Sequence, residues 1–286
     1  MINEVFRGPI DIHGGGIDLM FPHHENENTQ STCAHGDEQL SNVWMHNGQI
    51  LLDGRKISKS EGNDALLKVL PLCQMFGGDV LRMILLKTHY RRPIDIDLYR
   101  TFMDASEDVT RLRNFLLQTR EHTSKLSSIE YGGLLNDLNT PLAISELWEH
   151  ISSYERSDDP ALLYKIRGLI DVFGFSDRVT LPDNISVQIR YTAQLRANAR
   201  RERNFELADS LRMELELHGY QVADVSDTEY NIYVTPIERK IVRAFGFYKE
   251  ALKENEYYFL DQIRKIGLDI DFVAAMYRSA NRIPAR

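Results

Sequence analysis

Pro93, in the stretch HYRRPIDID, divides the chain into two regimes that fold by different rules. Its ring removes an amide donor and pushes the preceding Arg92 out of the helical region, so no regular helix runs through this point. Beyond it, Phe102, Ala105, Val109, Leu112 and Leu116 step by three or four, the spacing of a helix with one apolar stripe. NTPLAISELWEHI starts another helix, with Asn139 or Thr140 as cap and Pro141 in the first turn. PALLYKIRGLIDVFGF is a third, and SVQIRYTAQLRANARRERNFELADSLRMELELHGY reads as a helical pair or one long helix ended by Gly219. Two more helical patterns, IERKIVRAFGFYKEALKEN and YYFLDQIRKIGL, fill the last fifty residues.

Before Pro93 the pattern is mixed. GPIDIHGGGIDLMF alternates apolar residues into three glycines, the pattern of a buried strand ending in a turn where backbone approaches a ligand. QILLDG is a second short apolar run, stopped by Asp53-Gly54. Asp64 is placed to cap a short helix through Leu66, Val69 and Leu70 that ends before Pro71, and Asp79 to open another through Val80, Leu81, Ile84 and Leu85. The fold class is therefore α/β followed by all-α.

Composition excludes several functions. With 286 residues, 43% hydrophobic and 27% charged, the chain is an ordered protein and not a disordered one. No run approaches the roughly 20 apolar residues of a membrane helix, and the N-terminus has no secretory pattern. The expectation is a cytoplasmic protein with no membrane partner. Cys33 and Cys73 cannot make a disulfide framework and lack the spacing of a zinc ribbon, so reduced thiols are expected. A net charge of −8 argues against coating nucleic acid by bulk electrostatics, although a local basic face suffices for recognition. Arg196, Arg200, Arg201 and Arg203 form such a cluster, which reads either as a solvated helix face or as phosphate contacts.

Two short motifs carry chemistry. In DGRKISKSEGN, Lys56 and Lys59 flank Ser58, with Ser60 next. Two ammonium groups and two hydroxyls so placed suit a polyphosphate such as ATP, though a lysine-serine surface loop has the same composition. No Gly-x-x-x-x-Gly-Lys frame is present, so phosphate would be held by side chains more than by a backbone nest. In PHHENEN, His23 and Glu27 stand four apart, facing the same way on a helical turn as two ligands of one metal must.

Taken together, DIHGGGIDLMFPHHENENTQSTCAHG and WMHNGQILLDGRKISKSEGN closely resemble the second half of the catalytic domain of the cysteinyl-tRNA synthetase family, a class I aminoacyl-tRNA synthetase. The likeness extends more weakly through DVLRMILLKTHYRRPIDID and RRERNFELADSLRMELELHGYQVAD, covering roughly residues 8 to 225. It implies a Rossmann-type half-domain over residues 1–64, a stem-contact-like helical region over 65–125, a helical tRNA-binding bundle over 126–225 and a C-terminal helical extension over 226–286. It also implies ATP with magnesium, zinc, L-cysteine and tRNA(Cys).

By that resemblance, Lys56 and Lys59 stabilise the leaving pyrophosphate, with Ser58 and Ser60 beside them. Gly14, Gly15 and Gly16 lie against adenosine, and Asp18 holds the ribose hydroxyls. His13 is either an adenylate contact or a structural strand-end residue. His23 and Glu27 are zinc ligands, and zinc binds the substrate thiolate. The family's two cysteine ligands and its His-Ile-Gly-His element belong to upstream segments that this sequence does not show, so either a separate N-terminal half chain is a partner, or the product is a degenerate or truncated synthetase, or the helical part has been kept for binding. Two rival functions are a cysteine ligase acting on a sugar amine and a non-catalytic RNA-binding or regulatory module.

Overall fold

The computed structural model describes residues 5–6, 8–36, 39–57, 67–119, 132–175, 187–218, 220–224, 230–234, 241, 244–245, 248–249, 251–252, 256–265 and 268–281. The expected Asp64 cap, Leu66 and the three loop residues Ser58, Lys59 and Ser60 lie outside them.

The first part is α/β, as the mixed pattern predicts. Strand β1 (Ile10–Gly16) runs parallel to β2 (Ser41–Asn47), and helix α1 (Glu25–His35) lies between them in sequence. A parallel pair needs such a crossover. The three glycines do not form the expected turn. They continue β1 in register, with Gly14 opposite Met45, Gly15 opposite His46 and Gly16 opposite Asn47, because the β2 ladder supplies hydrogen bonds that a turn would forgo. The chain bends only at the following turn, Ile17–Leu19, and at the irregular segment Met20–His24, where Phe21 is extended at φ −133° and ψ 134°. Nor is β1 the expected buried strand. Ile12 and its partner Val43 are exposed.

A second sheet has the order β4 (Arg55–Lys56), β3 (Ile50–Leu52), β5 (Ile94–Ile96). Strands β3 and β4 form a hairpin whose turn residues, Asp53 and Gly54, both have positive φ, at 49° and 73°. A two-residue turn of this hand matches the right-handed twist of its strands, and Asp-Gly is a residue pair that tolerates it. Pro93 stands just before β5, at a position that needs no ladder donor. Gly48 is required by packing, since a Cβ there would lie 2.2 Å from the Arg92 carbonyl.

Helices α2 (Val69–Phe76) and α3 (Gly78–Leu86) follow. Pro71 does not end a helix as expected. It sits in the first turn of α2, where no intrahelical donor is missed. Asp79 is not a cap either. It is buried in α3 and receives Arg113 Nη2 at 3.0 Å, which pairs its charge.

Helices α4 (Arg100–Gln118), α5 (Thr140–Ser157) and α6 (Pro160–Val172) carry the helical regime. Asn139 caps α5 by accepting from Leu142 N–H. The SVQIR stretch is a pair, α7 (Val187–Arg201) and α8 (Phe205–Leu217), with Arg203 left-handed at φ 60° in the turn and Asn204 capping α8. Among the described residues the all-α expectation fails at β5, just after Pro93, and again where β6 (Tyr220–Asp224) and β7 (Tyr230–Val234) form an antiparallel hairpin. Its aromatic and β-branched residues Tyr220, Val222, Tyr230 and Ile232 pack on Ile189, Ala193 and Leu215 of the helical pair, so strand geometry wins over helical continuation.

Helices α9 (Glu256–Lys265) and α10 (Ile270–Asn281) close the described chain. One apolar cluster runs from Leu52 through Met83, Phe102, Leu112, Leu147 and Ile166 to Ile263, Phe272 and Met276. Residues expected to belong to separate segments thus share a core. Among the described residues, no helix is long and apolar enough to cross a membrane.

Candidate active site

Strand alternation builds the site. On β1, His13 and Gly15 face one way, and on β2 their partners Trp44 and His46 face the same way. The segment after β1 then returns across that face, carrying His23, His24 and Glu27. Gly15 makes the return possible, because a Cβ there would stand 2.6 Å from His24 Cε1. His24 is buried, meets His13 edge-on at 4.6 Å between centroids, and has Nδ1 2.9 Å from His46 Nε2. Burial, reinforced by the neighbouring His13, pushes the His24 imidazole below its ordinary value. Trp44 walls the cluster, 4.6 Å from the His13 ring and 5.3 Å from His24.

Glu27 joins two histidines. Its Oε1 lies 3.3 Å from His23 Nε2 and its Oε2 lies 3.3 Å from His13 Nε2. The second contact lacks hydrogen-bond alignment, leaving Oε2 buried without a partner. A buried carboxylate oxygen in that condition calls for a cation. His13, His24 and Glu27 each offer one ligand atom, all within 4.8 Å of one another. This nitrogen and oxygen donor set suits zinc. The expected pair, His23 with Glu27, is therefore adjacent as anticipated, but His23 is 61% exposed and stands outside the tight group. The sequence reading missed His24, Trp44 and His46. The period-two register of His13 with Trp44, and of Gly15 with His46, is the signal that marks them. Beside the cluster lies a cavity of about 390 Å³ lined by Met20, His24, Glu25, Asn28, Gln39, Trp44 and His46.

The lysine hairpin meets the same strand end. Lys56 Nζ lies 3.4 Å from Asp18 Oδ2, two residues beyond Gly16. Asp53 N–H donates to Ile96 O at 3.2 Å and Gly54 N–H to Asp95 Oδ1 at 2.8 Å, fixing the turn that precedes Lys56. Burial, then the nearby Asp97 and Asp95, push the Asp53 carboxyl above its ordinary range.

The basic cluster is divided. Arg196 is buried and makes two hydrogen bonds to Asp224, at 2.8 and 3.1 Å, so it ties β6 to α7 and offers no outward charge for a phosphate. That corrects the expectation for Arg196: the hairpin brought a carboxylate to its guanidinium. Arg200 is half-exposed and shares Asp224 at 3.0 Å. Arg201 and Arg203 are exposed, and Arg201 donates to Asn198. Arg196 also holds the Asp224 carboxyl below the usual carboxylate range.

Residues 1–106 match the family model described as tRNA synthetases class I (C) catalytic domain. Over 245 residues the chain is 38% identical to the cysteine–tRNA ligase of Agrobacterium fabrum, covering 84% of this chain and 51% of that one. Similar matches are the cysteine–tRNA ligases of Rhizobium leguminosarum bv. trifolii, 36% identical over 80% of this chain and 50% of that one, and of Nitrobacter winogradskyi, 37% identical over 77% and 48%. The chain spans about half the length of the curated relatives it matches. The histidine-glutamate cluster and the lysine hairpin both fall inside the segment matched by the catalytic-domain model, and over that segment and beyond it the chain is similar to class I cysteinyl-tRNA synthetases.

Proposed function

We propose that the protein acts in the ATP-dependent activation of L-cysteine and its transfer to tRNA(Cys), in the cytoplasm. The observation that carries the reading is the meeting of Lys56 with Asp18 at the end of the same strand that bears His13, against Glu27. A cation for phosphate and a donor set for a thiol-binding metal thus lie beside β1 and the turn that follows it, which supports a shared site.

In the proposed reaction the cysteine carboxylate attacks the α-phosphate of ATP, and pyrophosphate leaves with the electrons of the broken bond. Asp18 receives the ribose hydroxyls, while Gly14 and Gly16, without side chains, admit the adenosine against β1. Lys56 leaves Asp18 to meet the phosphates, joined by Lys59, Ser58 and Ser60 and by magnesium carried with the nucleotide. Fixed cations at the leaving oxygens stabilise charge that develops only in the transition state. His13, His24 and Glu27 would hold zinc, with His23 orienting Glu27 from outside. Zinc, when bound, supplies a soft centre for the substrate sulfur, which separates cysteine from serine by coordination. Arg200, Arg201 and Arg203 are the arginines of the cluster left to meet RNA phosphates, which position without reading sequence.

Cysteine-dependent exchange of labelled pyrophosphate into ATP tests the reading, run with this chain alone and with the complementary half of a relative added. Exchange in the mixture that disappears in Glu27→Gln is the expected result. No exchange in either, with RNA binding retained, overturns it in favour of a non-catalytic RNA-binding module.

A further inference from the structure

Helix α10 touches the chain at two places that follow the lysine motif in sequence. Just after β5, the strand that pairs with β3 of the hairpin, Ser279 donates its hydroxyl to Asp97 Oδ1 at 3.2 Å. The same oxygen accepts Tyr99 N–H at 2.9 Å and Arg100 N–H at 2.8 Å, so it caps α4. Asp97 directly follows Ile96 and Asp95, whose carbonyl and carboxylate hold the Asp53-Gly54 turn. Within the core, Phe272 is buried against Phe76 of α2, 5.5 Å between centroids, and against Phe102 of α4 at 5.6 Å. Asp269, which caps α10 through Phe272 N–H, points its own N–H at Met75 Sδ, 3.4 Å away.

We propose that the C-terminal helix Ile270–Asn281 is a positioning element for the hairpin that carries Lys56, acting through Ser279 on Asp97 and through Phe272 on Phe76. The physical reason is mechanical. A two-residue β4 has little ladder of its own, so the placement of Lys56 depends on β5, and β5 leads straight into the Asp97 cap that Ser279 completes. Apolar burial of Phe272 fixes where α10 lies, and the hydroxyl transmits that placement to one carboxylate. Phe245 adds to the seat, meeting Tyr99 at 5.6 Å and Tyr277 of α10 at 5.3 Å between centroids. The relevance of this brace to catalysis rests on the proposed role of Lys56, while the brace itself does not.

Hydrogen-exchange mass spectrometry of the full chain tests it, comparing wild type with Ser279→Ala and Ser279→Thr. In Ser279→Ala, exchange across residues 50–57 and 94–101 should rise about tenfold, with helices α5 and α6 unchanged, since one hydrogen bond to a carboxylate gates a local opening. Ser279→Thr, which keeps the hydroxyl, should restore wild-type protection. Unchanged exchange at 50–57 in Ser279→Ala, or an equal rise everywhere, overturns the proposal. A parallel arm with ATP and magnesium reads the Lys56 role separately: nucleotide that protects 50–57 in no variant removes the phosphate reading and leaves the brace standing.

Discussion

Lys56 Nζ and Asp18 Oδ2 lie 3.4 Å apart, joining the hairpin of the second sheet to the turn that ends β1. Both side chains are largely in water, so the contact orients more than it stabilises. Lys56→Ala or Asp18→Ala should each shift unfolding free energy by less than about 1 kcal/mol in urea titrations. In the same variants, binding of ATP with magnesium should weaken about tenfold by calorimetry, roughly 1.4 kcal/mol. Undiminished affinity in Asp18→Ala would remove that carboxylate from the nucleotide site.

Gly15 is the position where the histidine cluster tolerates no side chain. Its missing Cβ leaves room for the His24 ring, which would otherwise stand 2.6 Å away. Gly15→Ala should cost about 1–3 kcal/mol by overpacking and should lower zinc affinity in competition with a chromogenic chelator. Retained affinity would show that His24 is not needed to hold the metal.

The Arg196 pair with Asp224 gives a stability prediction with a defined pH dependence. Arg196→Ala should destabilise the chain by about 2 kcal/mol at pH 7, because it strands a carboxylate and frees the β6–β7 hairpin. The Asp224 carboxyl is depressed in the folded state relative to its ordinary value of 3.8. Its contribution is therefore complete above that value and is lost as pH falls through the lower folded one. Denaturation at pH 7 and again near pH 3 should show the gap between wild type and variant narrowing in acid.

Phe102 is buried between Phe76 and Phe272, 4.7 and 5.6 Å from their rings. Phe102→Ala should cost about 3–5 kcal/mol, read by chemical denaturation. A loss confined to exchange within α4, with α10 still protected, would contradict a core shared between the middle and the end of the chain.

The sequence by itself determined the α/β start and the helices after Pro93, since period and capping are local: Asn139 caps α5 as its neighbours dictate, and Phe102 to Leu116 form one face whatever lies opposite. It also marked Lys56, His23 and Glu27 as residues able to hold charge, because side-chain chemistry is visible without coordinates. Tertiary structure alone decided which of them meet. Parallel pairing of β1 with β2 kept the glycines in a strand and brought His13, Trp44 and His46 to one face, while the hairpin that supplied Asp224 turned Arg196 inward. Those outcomes depend on contacts between residues far apart in the chain, such as Ser279 with Asp97, which no local pattern encodes.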